Sequence, residues 1–189
     1  MVGQQFAGIN SVIFYGVRIL KDSFPEWSVM LNCLISVLNV VITSVASAFL
    51  DKAGRKPLLL LSLSLMTFSL LALSFGVLHG SSTTTVLSIF MYVGSFAIGC
   101  GPIPFLLVSE VSQPEVKDIA QSWATDCNWV SVFIVGSLFP VLNEFIGGYT
   151  YLIFAIVCIL FAGFTWNIIP ETKGKNTYYE VWLGAQRSD

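Results

Sequence analysis

Charge is what this sequence has least of. Only 11% of its 189 residues are Asp, Glu, Lys or Arg, against about 25% in soluble domains. A water-soluble surface cannot be built from so little. Cysteine is sparse too: Cys33, Cys100, Cys127 and Cys158 form no C-x-x-C pair, so neither a zinc site nor a disulfide framework is signalled. The single histidine, His79, has no Cys or acid cluster at metal or nucleophile spacing. Enzyme chemistry is therefore not expected, and neither a metal nor a cofactor. A net charge of −2 gives no reason to expect nucleic acid. The first residues lack the basic segment of a signal peptide and read at once as mid-helix, so the first span is expected to be clipped.

What the sequence does have is long uncharged runs. Residues 27–50 hold 24 without a charge, 57–78 hold 22, 80–109 hold 30 and 145–170 hold 26. A membrane helix needs roughly 20. The expectation is an all-α, integral membrane helical bundle of six spans, near 2–19, 27–50, 57–78, 85–109, 119–142 and 148–169. Residues 171–189 then form a polar tail. Trp27, Tyr149, Tyr151 and Trp166 fall near span ends, where an aromatic belt sits.

The few cations sort by side. Lys52, Arg55, Lys56, Lys117, Lys173, Lys175 and Arg187 fall at alternate ends, and only Arg18 and Lys21 fall at the others. Seven against two is a positive-inside bias. It places the DKAGRK turn at 51–56, the 110–118 loop, the tail and hence both ends in the cytoplasm.

The polar residues inside the spans carry the functional reading. Asn32, Ser36, Asn39, Thr43 and Ser47 recur at helical spacing within an arc of about 80°, with Asn39 near the bilayer midplane. Packing contacts need only one or two polar residues; a stripe the length of a span reads as the wall of a water-filled path. In the fifth span Gln121, Thr125 and Asn128 share a face. Asp126 points away from it, to pair with a neighbour or to sit wet near the cytoplasmic end.

The first and fourth spans are broken. Gly3, Gly8 and Gly16 surround Gln4, Gln5 and Asn10, and the fourth span carries Gly94, Gly99, Gly101, Pro102 and Pro104. Taken as two three-helix repeats, 1–3 and 4–6, the broken spans hold matching first positions, which points to a secondary transporter's binding site. Amides and hydroxyls near the midplane, with Phe96, Phe105 and Trp129 nearby, suit a neutral polyhydroxylated solute; an ion would want a charged partner.

QQFAGIN at 4–10, DKAGRK at 51–56, GPIP at 101–104, NW at 128–129 and PETKGK at 170–175 resemble the sugar porter family of the major facilitator superfamily. In order and spacing they match its carboxy-terminal six-helix half, taken as residues 1–170. The resemblance implies a sugar carrier working by alternating access against a missing amino-terminal half. It implies a lipid bilayer as surroundings and the plasma membrane as location. It assigns sugar contacts to Gln4, Gln5, Asn10, Asn39, Phe96 and Asn128, and places Phe105 where the family has tryptophan. Ala97 replaces a common glutamate and Ala7 a serine or threonine. A hexose such as glucose is the leading substrate and a disaccharide such as trehalose the alternative. A truncated, non-transporting partner or sugar receptor is a further one. The resemblance also implies a cytoplasmic gate of Arg55, Glu110, Lys117 and Glu171, with Asp51 completing it.

Overall fold

The computed structural model describes residues 1–14, 21, 26–175 and 178–185. Arg18 and Arg187, counted in the sorting of charge, lie outside the described residues. Every regular element among those described is helical. In order they are α1 (Val2–Phe6), a helical stretch at 9–14, α2 (Ser28–Ala53), α3 (Arg55–Leu78), α4 (Ser82–Ser95), a π-turn (Phe96–Cys100), α5 (Ile103–Val111), α6 (Lys117–Ile146), α7 (Thr150–Ile168) and α8 (Tyr178–Ala185). Two 3₁₀ turns, Pro114–Val116 and Gly147–Tyr149, open α6 and join it to α7.

Four described stretches are long and apolar enough to cross a membrane: Ser28–Leu50, Arg55–Leu78, Ser82–Val111 and Pro114–Ile168. The last has 55 residues, far beyond one crossing. The turn at Gly147–Tyr149 divides it into α6 and α7. At the start of the chain the described residues 1–14 are fewer than a crossing needs, and they contain a break at Ala7–Gly8.

Contacts at both ends set the topology. α2 meets α3 through Gly54 alone. Ser74, near the end of α3, donates to Gly148 O at 2.9 Å, while Arg55 at its start meets Glu110 and Glu171. So α3 runs antiparallel to the α4–α5 path and to α7, and packs between them. Leu59, Leu63, Met66, Leu70 and Leu73 are wholly buried along it. Their spacing of three, four and seven residues lines one face of the helix.

α2 and α6 are less enclosed. On α2 the buried Ile35, Ala46 and Leu50 mark the packed face. The Asn32–Ser47 stripe runs beside that face, so Asn32, Asn39 and Thr43 are half-buried while Ser36 and Ser47 are exposed. Asp126 is exposed on α6.

Candidate functional site

The site begins with the two broken spans. Ala7 ends α1, and Gly8 turns with φ +93°, where a side chain is rarely tolerated. A Cβ there would also lie 2.4 Å from the Phe154 ring. Gly8 N–H donates back to Gln5 O, and Val12 N–H to Gly8 O, so the chain re-enters a helix at once. The second break winds the π-turn Phe96–Cys100 and closes with Gly101 N–H on Phe96 O at 2.8 Å. Pro102 and Pro104 follow at the start of α5, where a missing N–H does no harm.

The breaks bring the amides together. Gln5 Nε2 donates to Asn128 Oδ1 at 2.8 Å, and Asn10 Nδ2 donates to Gln5 Oε1. Gln4 Nε2 donates to Gly101 O at 3.2 Å, the carbonyl beside the second break. Gln4, Gln5 and Asn128 are buried, Asn10 half-buried. Gln4 Oε1 and Gln121 Oε1 are buried with no hydrogen-bond partner among the described residues.

Asn39 stands apart on α2. Thr43 Oγ1 donates to its Oδ1 at 3.1 Å, and its Nδ2 makes no hydrogen bond among the described residues. The hydroxyls of Ser36 and Ser47 return to Asn32 O and Thr43 O. The hydroxyls of the stripe thus bond along their own helix, and the stripe holds no hydrogen bond to a neighbouring helix among the described residues. Phe96 is half-buried in the π-turn; Phe105 and Trp129 are exposed.

One residue that the sequence does not single out holds the second break. Ser62, wholly buried on α3, donates to Ser95 O at 2.7 Å and accepts from Cys100 N–H at 2.9 Å. It spans the π-turn from one end to the other. One serine among several in an apolar run gives no signal of this.

The charged end is built differently. Arg55 Nε and Nη2 both donate to Glu110 Oε1, at 3.2 and 3.0 Å, and Nη1 to Leu50 O at 3.2 Å. The two side chains are only 14% and 25% exposed. Glu171 receives the backbone N–H groups of Arg55 and Lys56 at 3.0 and 3.1 Å. It therefore caps the start of α3, where the helix dipole favours an anion. Thr172 Oγ1 donates to Glu110 Oε2, and Lys173 Nζ to Lys52 O. Lys117 is exposed at the start of α6 and makes no ion pair or hydrogen bond among the described residues. Asp51 falls in the last turn of α2, and its side chain lies outside the described residues. A separate cavity of about 270 Å³ near this end is lined by Leu59, Leu107, Val111, Phe161, Ile168 and other mostly apolar groups. It offers little to a polar solute.

Membrane-length antiparallel helices, together with two breaks in the chain where neutral amides converge, make the architecture of a secondary transporter. The chain belongs to the family described as "Sugar (and other) transporter", which it matches over residues 1–181. It is 49% identical over 181 residues to a probable metabolite transport protein of Saccharomyces cerevisiae, covering 96% of this chain and 37% of that protein. It is 34% identical over 179 residues to the mouse solute carrier family 2 facilitated glucose transporter member 3, covering 92% of this chain and 36% of that protein. Among solved structures, the proton:xylose symporter XylE bound to 6-bromo-6-deoxy-D-glucose superposes with a TM-score of 0.87 at 29% identity, over 96% of this chain and 40% of that one. The inward-open XylE of E. coli gives 0.85 at 29% identity, over 96% and 39%. The chain thus spans well under half the length of these relatives. With its long apolar helices, it is the sequence of an integral membrane protein of that family.

Proposed function

We propose that this chain forms the carboxy-terminal six-helix half, two repeats of three, of an alternating-access carrier for a neutral sugar, with a hexose as substrate. The observation that carries the reading is the amide cluster. Gln5, Asn10 and Asn128 meet in the bundle between two broken spans, with no charged group in the cluster to demand an ionic solute. The amides hydrogen-bond one another here. A sugar hydroxyl, both donor and acceptor, can take over either side of such a bond. The exchange is near neutral in energy, so recognition rests on geometry.

Asn39 supplies a donor from the other side of the path, and Phe96 an apolar ring. Gln4 adds an acceptor, Oε1, that the bundle itself leaves unused. Phe105 is a further ring contact. The opposing contacts come from an amino-terminal half, since the relatives are more than twice as long. The cluster around Arg55, Glu110 and Glu171 faces the cytoplasm and closes that side of the path, with both ends of the chain on the same side and the plasma membrane as location.

The test is uptake by the complete carrier. Asn39→Ala removes a donor that no neighbour uses, so folding should hold. We expect sugar affinity to fall about 2–10-fold, one hydrogen bond's worth of about 0.5–1.5 kcal/mol. Unchanged affinity in a correctly inserted variant would remove Asn39 from the site. Absence of saturable, stereospecific sugar uptake by the unaltered carrier would overturn the reading itself.

A further inference from the structure

Each broken span satisfies a polar group that the other one frees. Gln4, on α1, donates to Gly101 O beside the second break, at 3.2 Å. Tyr92, on α4, donates to Ala7 O at the first break, at 2.8 Å. The two bonds join residues 97 and 85 positions apart in sequence. Ala7 and Tyr92 are both fully buried, with the Tyr92 ring among the largest wholly enclosed side chains.

The Ala7 carbonyl is where α1 stops. Helix continuation would give it the N–H of residue 11, but Gly8 swings the chain aside with φ +93°. The hydrogen bond found on it among the described residues is the phenol of Tyr92. In a dry membrane interior a freed carbonyl without a donor is costly, and the backbone rearranges to find one. Ala7 follows Gln4 and Gln5 by three and two residues, so any rearrangement there moves both amides.

We propose that Tyr92 is a positioning residue for solute binding: its hydroxyl pins the Ala7 carbonyl, fixes the break in the first span, and thereby sets where Gln4 and Gln5 point. This rests on the reading of those glutamines as solute contacts. Tyr92 itself touches no solute. Its reach to Ala7 and the reach of Gln4 to Gly101 make two rungs of one brace, so the breaks hold each other in register.

The experiment uses Tyr92→Phe in the complete carrier, which keeps the ring and removes only the hydroxyl. Uptake of labelled D-glucose and of trehalose is measured in proteoliposomes, normalised to folded protein. The expected result is a KM raised about 2–10-fold, as for one lost hydrogen bond, with the maximal rate per folded carrier within twofold. A role in folding alone would lower the amount of folded protein and leave KM unchanged, and that result overturns the proposal. A second measurement needs no sugar: amide hydrogen exchange across residues 3–14. Faster exchange of Gly8 and Val12 in Tyr92→Phe, with α3 unchanged, supports the brace. Equal exchange in both proteins overturns it, even where neither sugar is taken up and the substrate assignment has failed.

Discussion

Two glycines break this chain in almost the same way and for opposite ends. Gly8 turns at φ +93° inside the bundle, and Gly54 at φ +94° at the charged end. In each case one side chain fills the space that a Cβ would need: the Phe154 ring at 2.4 Å from it, and Glu171 Oε2 at 2.8 Å. The difference lies in what the break frees and what answers it. At Gly8 a carbonyl is freed in an apolar setting and a neutral phenol answers it. At Gly54 the first N–H groups of α3 are freed, and a carboxylate answers them. Neutral donors suit a place without water, where an unpaired charge is expensive. Charge suits the rim, where water shares the desolvation cost and the pair can open. On the function proposed above, the same backbone device serves a rigid binding geometry in one place and a breakable contact in the other.

The sharpest way to break this comparison is to put a side chain at Gly8. Gly8→Ala meets both the unfavourable φ, about 1–3 kcal/mol, and the Phe154 ring, where overpacking adds about 1–3 kcal/mol. We expect the largest loss of folded carrier of any substitution considered, read as a fall in melting temperature and in monodisperse protein from detergent. If Gly8→Ala melted like the unaltered carrier, the first break would not be a fixed feature of the fold.

The charged rim should respond in rate before it responds in fold. Arg55→Ala leaves Glu110 without its cation in a setting that is mostly shielded. Exposed pairs contribute about 0–1 kcal/mol and breaking buried ones costs about 3–5, so we expect about 1–3 kcal/mol here, expressed as a shift toward the state open to the cytoplasm. A cysteine introduced at Val108, two residues before Glu110 on α5 and on the wall of the apolar cavity near this end, should then label faster from the cytoplasmic side. Arg55→Lys should recover only part of the effect, since one ammonium cannot copy three N–H contacts to Glu110 and Leu50. Equal labelling in Arg55→Ala and the unaltered protein would detach this cluster from gating.

The sequence made some of this legible and hid the rest for physical reasons. Long uncharged runs reveal spans because lipid admits little else, and Gly and Pro inside them reveal breaks because they spoil a helix. Hence α2, α3 and both interruptions are where the runs and punctuation put them. The mode of contact was not legible. PETKG places Glu171 near Arg55, but only the fold shows it bound to backbone N–H groups of α3 while Glu110 takes the guanidinium. Ser62 and Tyr92 are silent in sequence, because any one hydroxyl in an apolar run looks the same whether it bonds its own helix or another. Ser69 does the first, donating to Leu65 O; Ser62 does the second.

The smallest expected effect separates the sequence from the structure most directly. The family pattern puts Lys117 in the gate with Arg55, Glu110 and Glu171. In the structure Lys117 opens α6 in an exposed position, while Glu110 is occupied by Arg55 and Thr172 and Glu171 by the amides of Arg55, Lys56 and Lys173. Both carboxylates thus have their partners without it. Lys117→Ala should therefore leave uptake rate and cytoplasmic labelling within error of the unaltered carrier at physiological salt, where exposed charges are screened over about 8 Å. A clear change at low salt that vanishes at high salt would reveal long-range attraction to the cluster. A change that persists at high salt would mean that Lys117 joins the gate in another state of the transport cycle, and the cluster would then be larger than the contacts of this conformation.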